Sequence, residues 1–284
     1  MKLYVMDAFA NRIFGGNQAG VALPDRELSD ETMRQIAAEM KHSETAFIHM
    51  EPDGSVSLRY FTPAGEVDLC GHATVASFAL LRQEGLIADG SHIAHTKASD
   101  LNIGVSGGTV WMDMAAPRLL RELGEDEWAA FYEAYGLTTA DRPEGLTPAI
   151  VSTGLADVML PVRDHDTLMR AVQNEAAVTA LSKKYDVTGV HMFCLGDGCT
   201  AYCSNYAPLY DIPEECATGT SNGALTYYLY LRGIVQPERE NVFLQGEHMN
   251  RPSEIRSRLY EQDGAVNVRV GGSAVMSMQC EVKI

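Results

Sequence analysis

The sequence contains no long apolar run and comparatively few basic residues. None of its apolar segments approaches the ~20 residues that a membrane-spanning helix requires, so we expect no membrane partner. Lysine and arginine total 22 against 38 aspartates and glutamates, which gives a net charge of −16 over 284 residues. Because a polyanionic backbone repels such a chain, the composition argues against nucleic acid as a partner.

Cysteine is also scarce, and the N-terminus lacks the features of a secretion signal. Six cysteines in 284 residues are too few for the disulfide framework of a small secreted protein. The opening residues, MKLYVMDAFANRIF, have neither the long apolar core nor the small-residue cleavage site of a signal peptide. We therefore expect a cytoplasmic protein, and its 46% apolar content and its length suffice for two globular domains.

Residues 61–85 predict a buried helix that begins at a reactive loop. Cys70-Gly71-His72 is followed by a run without glycine or proline that is apolar nearly all round, which is typical of a helix buried on most sides. Gly85 stands where the C-terminus of that helix is expected. Cys70 would then lie at a helix N-terminus, where free N–H groups and the helix dipole favour an anion, including a thiolate.

A similar stretch recurs 146 residues later, counted between the cysteines Cys70 and Cys216. There an acidic segment and Cys216-Ala-Thr-Gly-Thr precede a second apolar helix, which ends near Gly233. We interpret the two stretches as an internal repeat in which Cys216 matches Cys70. Two helix N-termini that each carry a thiol, facing each other across a pseudo-twofold axis, would bracket one small substrate.

Two further segments each allow a structural and a functional interpretation. Glu44 enters a strand between Ser43 and Thr45; it is either a solvent-facing strand position or a carboxyl in an apolar site that acts as a general acid or base. The glycine-rich segment before Asn17 is either a tight turn or a loop that brings backbone and the Asn17 amide to a ligand. It is not a phosphate loop, because no Gly-Lys-Ser/Thr follows.

The remaining cysteines do not predict a metal site. The spacing of Cys194, Cys199 and Cys203 is not Cys-x-x-Cys, and no fourth ligand is evident. Buried or alternating strand cysteines are the alternative that we favour. His72, by contrast, follows Cys70 in the same loop, so we expect it to be functional.

The chain order places a domain boundary near Ala116. Ser29 predicts the cap of a helix that runs to Met40, short strands follow the first apolar helix, and RELGEDEWAAFYEAYGL predicts an acidic helix after the boundary. We expect the first domain to comprise 1–116, completed by a final strand at 275–284, and the second to comprise 117–274.

Together these motifs resemble the phenazine-biosynthesis PhzF-like family, which shares its fold with diaminopimelate epimerase and proline racemase. The matching segments span almost the whole chain, and they are Asp7-Ala8-Phe9, Phe14-Gly15-Gly16-Asn17, Ser43-Glu44-Thr45-Ala46-Phe47, Phe61-Thr62-Pro63-Ala64-Gly65-Glu66, Gly71-His72-Ala73-Thr74, Ala217-Thr218-Gly219 and Gln245-Gly246 with Arg251-Pro252-Ser253. The resemblance implies an α/β fold of the mixed α+β kind with two pseudo-symmetric domains. Each would wrap a mostly antiparallel or mixed sheet around a central helix, with the active site in the cleft between the domains. It also implies no cofactor and a homodimer.

The resemblance assigns roles to particular residues. In the family the glutamate of Ser-Glu-Thr shuttles the proton, which corresponds to Glu44, and the glycine-histidine pair corresponds to Gly71 and His72. The family's acidic residue before Pro-Ala-Thr-Gly falls on Glu215, and Cys216 replaces that proline. Cys70 and Cys216 correspond to the thiol pair of diaminopimelate epimerase.

Substrate binding involves a second set of expected residues. Backbone N–H groups around Gly71-His72 and Gly219-Thr220 would hold the substrate carboxylate and stabilise an enolate-like intermediate. We also expect Asn17, Ser43 and Arg251 to contact the substrate.

Three functions remain open from the sequence. The leading hypothesis is a racemase or epimerase of a small amino or hydroxy acid, with Cys70 and Cys216 as the acid/base pair. The alternative is a double-bond or allylic isomerase of an unsaturated small carboxylate, with Glu44 as the proton shuttle. The third is a non-catalytic protein that binds a small carboxylate.

Overall fold

The computed structural model describes residues 1–262 and 264–283. The chain forms two compact units, Met1–Asp113 with Gly271–Ile284, and Met114–Val270. The change of unit after Asp113 lies close to the boundary expected near Ala116. The chain returns to the first unit at its C-terminus.

Strands predominate in both units. The elements before the boundary are β1 (Lys2–Ala8), β2 (Asn17–Leu23), α1 (Asp30–Met40), β3 (Thr45–Met50), β4 (Val56–Phe61), β5 (Glu66–Val67), α2 (Gly71–Gln83), β6 (Gly90–His95), β7 (Asp100–Ser106) and β8 (Thr109–Asp113). The elements after it are β9 (Arg118–Glu122), α3 (Glu125–Glu133), β10 (Ala149–Ser152), β11 (Ala156–Pro161), α4 (His165–Met169), α5 (Glu175–Tyr185), β12 (Gly189–Leu195), β13 (Ala201–Ala207), β14 (Ile212–Glu215), α6 (Gly219–Leu231), β15 (Glu240–Gln245), β16 (Ser253–Gln262), β17 (Ala265–Gly272) and β18 (Ala274–Glu281).

The strand pairing of the first unit recurs step for step in the second. In the first unit β18–β1 and β1–β2 are antiparallel, β2–β3 is parallel, β3–β4 and β4–β5 are antiparallel, and β4–β6 is parallel. In the second, β9–β10 and β10–β11 are antiparallel, β11–β12 is parallel, β12–β13 and β13–β14 are antiparallel, and β13–β15 is parallel. The internal repeat and the mixed, pseudo-symmetric α/β fold expected from the sequence are therefore confirmed.

A buried helix stands at the centre of each repeat. Ten of the 13 residues of α2 are buried, as are eight of the 13 residues of α6. Both helices end alike, because Gly85 and Gly233 each adopt a φ of +70°, a left-handed conformation that glycine reaches without steric cost. The apolar pattern therefore predicted both helices and their ends correctly.

A helix outside this centre was also predicted from its cap. The Ser29 hydroxyl oxygen accepts a hydrogen bond from the Thr32 N–H at 3.2 Å, and α1 begins at the next residue, Asp30. Its buried residues Met33 and Ile36 pack in a core cluster with residues of β1 to β4. The helix therefore buries one apolar face.

Two expectations about secondary structure are wrong. The acidic segment predicted as one helix begins with a strand, since Arg118–Glu122 forms β9 and pairs with β10 before α3 begins at Glu125. The ten-residue strand β16 was not predicted at all. Within the described part of the chain, no helix is long and apolar enough to cross a membrane.

Candidate active site

The N-terminus of α2 is anchored by the backbone of Cys70. Cys70 is the N-cap residue, with an extended backbone (φ −142°, ψ 110°), and its side chain does not cap the helix. Its carbonyl oxygen accepts hydrogen bonds from the Thr74 N–H at 3.0 Å and from the Thr74 hydroxyl at 2.7 Å. That hydroxyl also lies 2.7 Å from the Tyr60 hydroxyl of β4. The thiol therefore lies at the helix start without capping its N–H groups.

Glu44 lies immediately before β3, and its backbone is fixed by the sheet. Its carbonyl oxygen accepts a hydrogen bond from the Gly20 N–H at 3.0 Å. The next residue, Thr45, pairs with both Gly20 of β2 and Phe61 of β4. These constraints fix the point from which the carboxylate reaches toward the start of α2.

Glu44, Cys70 and His72 form one contiguous cluster in the first unit. The Cys70 Sγ atom lies 3.5 Å from Nδ1 and 3.7 Å from Nε2 of His72. Nε2 of His72 lies 3.3 Å from Oε2 of Glu44. The structure thus brings together three residues that the sequence assigned to the site.

Burial determines the charge state of His72. It lowers the pKa of His72, and although the Glu44 carboxylate acts in the opposite direction, the nearby His42 adds to the lowering. The imidazole is therefore neutral near pH 7, and its contact with Glu44 is not an ion pair of two charged groups. Oε2 of Glu44 is fully buried and has no hydrogen-bond partner among the described residues. A buried acceptor without a hydrogen bond lowers the free energy of unfolding, and such groups occur at reactive sites.

The other residues expected on the first unit lie near these elements. Asn17 begins β2, opposite Ala8 of β1, and is only 8% exposed. Ser43 is exposed in the segment just before Glu44. Gly71 is the first residue of α2. Their contacts with a substrate stay predictions.

In the second unit, Gln245 ties the segment before α6 to the helix. Its side-chain amide N–H groups donate to the Glu215 carbonyl oxygen at 2.7 Å and to the Thr218 hydroxyl oxygen at 3.1 Å. Its side-chain oxygen accepts from the Asn222 amide at 2.8 Å. The Thr218 hydroxyl in turn donates to the Glu215 carboxylate at 2.7 Å. Thr218 thus holds the Glu215 carboxylate, and Gln245 holds both Thr218 and the Glu215 backbone.

Cys216 is buried and packed against Gly246. A Cβ atom added at Gly246 would lie 2.7 Å from the Cys216 carbonyl oxygen and 2.4 Å from that of Arg251. Burial and the neighbouring Glu215 raise the pKa of the Cys216 thiol to about 11, with Arg251 acting in the opposite direction. A helix N-terminus was expected to favour the thiolate here, and the structure gives the opposite direction.

The reason is that Cys216 does not stand at the helix N-cap. The N-cap of α6 is Thr218, and the helix begins at Gly219, whereas α2 begins at Gly71 directly after Cys70. Thr218 therefore occupies the position that Cys70 has in the first repeat. The expected match of Cys216 with Cys70 is wrong by two residues.

A buried polar network behind the start of α6 was missed by the sequence reasoning. The Ser221 hydroxyl donates to the Asp157 carboxylate, and it accepts from the Asn205 amide at 3.1 Å. That amide also lies 3.2 Å from Nδ1 of His191. Burial raises the pKa of Asp157 and lowers that of His191 to about 4. An aspartate inside the apolar strand segment DVMLPV was the available signal.

Similarity to known proteins fits this architecture. The sequence matches the phenazine biosynthesis-like protein family, PhzC-PhzF, over residues 6–280. The chain belongs to this family. A relative from Deinococcus radiodurans, described as an uncharacterized isomerase, is 34% identical over 275 residues, covering 93% of this chain and 89% of the relative.

Two solved structures are similar over nearly the whole chain. A phenazine biosynthesis protein of the PhzF family from Bacillus anthracis has a TM-score of 0.90 at 27% identity, covering 100% of this chain and 99% of that one. A predicted epimerase from Pseudomonas aeruginosa has a TM-score of 0.79 at 25% identity, covering 99% and 98%. This family member is an isomerase, as its curated relatives are.

Proposed function

We propose that the protein is a cofactor-independent double-bond isomerase of a small unsaturated carboxylate, in which Glu44 carries the proton. The observation that supports this most strongly is the unpaired, buried Oε2 of Glu44 next to neutral His72. A carboxylate oxygen with no hydrogen bond to break can accept a proton from carbon directly. Groups positioned in this way contribute about 10²–10⁴-fold to a proton transfer.

The proposed reaction begins with removal of a proton from a carbon conjugated with the substrate carboxylate. The C–H electron pair enters the conjugated system and forms a dienolate, while Glu44 becomes a carboxylic acid. Glu44 then gives a proton to a different carbon, and exchange of its acidic proton with solvent before that transfer brings solvent hydrogen into the product; the double bond moves and no net oxidation occurs. Backbone N–H groups at the start of α2, which has no side-chain cap, are suited to bind the substrate carboxylate.

The geometry of the two helix starts is the reason for ranking this function above the racemase favoured by the sequence. A two-base racemase needs a weak acid on each face of one carbon. The N-cap that matches Cys70 is Thr218, whose hydroxyl is committed to Glu215 at 2.7 Å. A threonine hydroxyl is a much weaker acid than a thiol, so it cannot replace the second thiol near pH 7.

The two-thiol epimerase remains the second candidate. It is supported by the charge interaction of Arg251 with the Cys216 thiol and by the similar structure described as a predicted epimerase. A neutral Cys216 thiol could serve as the proton donor if Cys70 were the base. This candidate requires both cysteines for turnover.

Deuterium exchange from solvent distinguishes the two candidates. The enzyme in D₂O is incubated with a panel of unsaturated cyclic carboxylates, amino acids and hydroxy acids, and incorporation is followed by NMR. We expect exchange in an unsaturated acid that falls at least about 100-fold in Glu44→Gln and is kept in Cys280→Ser, a control at an exposed thiol. Full activity of Glu44→Gln would refute the proposal. Exchange at Cα of an amino acid, lost in both Cys70→Ser and Cys216→Ser, would establish the epimerase.

A further inference from the structure

Glu44, Cys70 and His72 supply one oxygen, one sulfur and one nitrogen donor to the same small volume. Their donor atoms all lie within 4.8 Å of one another. We propose that this set is a binding site for a zinc-like divalent transition-metal ion, and that the bound ion inhibits the enzyme. No metal was expected from the sequence, and the only residues considered as its ligands were Cys194, Cys199 and Cys203.

Two of the three donor-atom separations are close to those of a tetrahedral ion. With metal–sulfur, metal–nitrogen and metal–oxygen bonds of about 2.3, 2.0 and 2.1 Å, tetrahedral angles give S···N and N···O separations of roughly 3.5 and 3.4 Å. The observed separations are 3.7 Å between Cys70 Sγ and His72 Nε2, and 3.3 Å between that nitrogen and Glu44 Oε2. Because Sγ lies almost equally far from Nδ1 and Nε2, at 3.5 and 3.7 Å, the imidazole must rotate for Nε2 to share an ion with the thiol.

The unpaired oxygen of Glu44 is an independent indication of a missing partner. Oε2 is fully buried and accepts no hydrogen bond from the described residues. A coordinated cation would satisfy it. The charges also balance, because a thiolate and a carboxylate together neutralise a divalent ion, and this offsets the unfavourable positive end of the helix dipole.

The ligands are held by the surrounding structure. The carbonyl oxygen of Cys70 is fixed by Thr74, and that of Glu44 is fixed by Gly20. His72 lies in the first turn of α2, only two residues after Cys70. Three protein ligands leave a fourth position open, as in zinc sites that also bind water or substrate. A soft sulfur and an imidazole favour zinc or cobalt over magnesium and calcium.

The inhibitory effect rests on the proposed function, whereas binding of the ion does not. A metal ion on Oε2 of Glu44 would occupy the lone pair that is proposed to accept the substrate proton. It would also fix the His72 imidazole against Cys70. Zinc should therefore act as a reversible inhibitor that a chelator removes.

Titration with Co²⁺, followed by absorption spectroscopy, tests the site without any assay of turnover. We expect one equivalent to bind with the intense sulfur-to-cobalt charge-transfer band and the visible bands of a tetrahedral site. Zinc should displace the cobalt, and Mg²⁺ should not. Cys70→Ser should abolish the charge-transfer band, while Glu44→Gln should keep it and weaken binding at least about tenfold.

Two control variants and a second readout keep the test decisive. Cys199→Ser removes a thiol in the turn between β12 and β13 of the second unit, and Cys280→Ser removes an exposed thiol; both should bind cobalt as the wild type does. Survival of the charge-transfer band in Cys70→Ser, or no binding by the wild type at 100 equivalents, would overturn the site. Stoichiometric zinc without loss of turnover would overturn the inhibitory effect and would also count against Glu44 as the proton carrier.

Discussion

At the start of α2 the residue before the first glycine is Cys70, and at the start of α6 it is Thr218. Both residues have extended backbones, and neither caps its helix through its side chain. The thiol of Cys70 contacts His72, whereas the hydroxyl of Thr218 donates to Glu215. The same strand topology therefore presents a cluster of Glu44, Cys70 and His72 in one unit and a hydrogen-bonded carboxylate in the other.

This difference teaches that a repeated fold does not imply a repeated chemistry. The first unit leaves one carboxylate oxygen of Glu44 without a hydrogen bond. The second unit engages the Glu215 carboxylate through Thr218, which is itself held by Gln245. A free acceptor suits proton transfer, and a restrained one suits positioning or binding.

The largest effect is expected at a glycine of the second unit that combines a positive φ with a close approach to backbone. Gly246→Ala should destabilise that unit by about 3 kcal/mol, because φ is +86° and the new methyl would overlap two carbonyl oxygens. Gly233→Ala is the matched control: φ is +70° but the space is open, so we expect a loss of about 1 kcal/mol. Urea unfolding followed by Trp128 fluorescence, in a Trp111→Phe background, measures both. Equal losses of unfolding free energy in the two variants would show that the close approach of Gly246 to Cys216 does not contribute to stability.

The second comparison is between buried histidines, one in each unit. Burial lowers the pKa of His191 to about 4, below its value near 6.5 in an unfolded chain. The unfolded chain therefore binds more protons below pH 6.5, so stability is complete above that pH and declines as the pH falls toward 4. Between pH 7 and pH 5 this histidine should cost about 2 kcal/mol of unfolding free energy.

His191→Gln should remove that part of the acid sensitivity without abolishing turnover. His72→Gln should reduce acid sensitivity in the same direction, since burial lowers the pKa of His72 as well, but it should also lose activity. Urea titrations at pH 7 and pH 5, paired with the exchange assay, separate the two outcomes. An unchanged pH dependence in His191→Gln would contradict the assignment of a neutral, buried imidazole.

The smallest effect concerns the two thiols themselves. Cys70→Ser should lower turnover about tenfold, or about 1.4 kcal/mol of activation free energy, because it alters the contact with His72. Cys216→Ser should stay within about twofold, because a serine can keep the packing against Gly246. Steady-state kinetics on the substrate found by exchange measures both. A loss of turnover in Cys216→Ser larger than that in Cys70→Ser would favour the two-thiol epimerase over the double-bond isomerase.

Much of the fold could be predicted from local patterns in the sequence. An all-round apolar run bounded by Gly71 and Gly85 predicts a buried central helix, and α2 is that helix. Strand β16 escaped prediction because its buried residues Ile255, Ser257 and Leu259 alternate with charged ones, and a serine weakens the apolar signal. The alternation of a strand was therefore present, but its charged and serine positions made it weakly apolar.

The site could be predicted only where its residues are close in the chain or match a family motif. Cys70 and His72 are two residues apart, and Glu44 was noted as a carboxyl at the start of an apolar strand before the resemblance assigned it the role of proton shuttle. Matching the repeats by cysteine placed Cys216 opposite Cys70, whereas matching them by glycine, with Gly71 to Gly219, gives the register that the structure has. The error arose because the two repeats were aligned on their cysteines and not on their glycines.

The buried network behind α6 lay beyond prediction for a different reason. Its members, Asp157, His191, Asn205 and Ser221, come from three strands and a helix. Each is unremarkable in its own segment, and only the strand pairing brings them together. A polar residue in an apolar strand signals that a partner exists without indicating which residue it is.

The pairing of β1 with β18 has a consequence for folding during synthesis on the ribosome. The Ser277 hydroxyl donates to the Val5 carbonyl oxygen across a separation of 272 residues, whereas the second unit is one continuous segment, Met114–Val270. A chain emerging from the ribosome has every strand of the second unit available before β18 exists. The first unit therefore cannot complete its sheet until the last strand of the chain has been synthesised, and until then the edge of β1 that pairs with β18 has no partner strand.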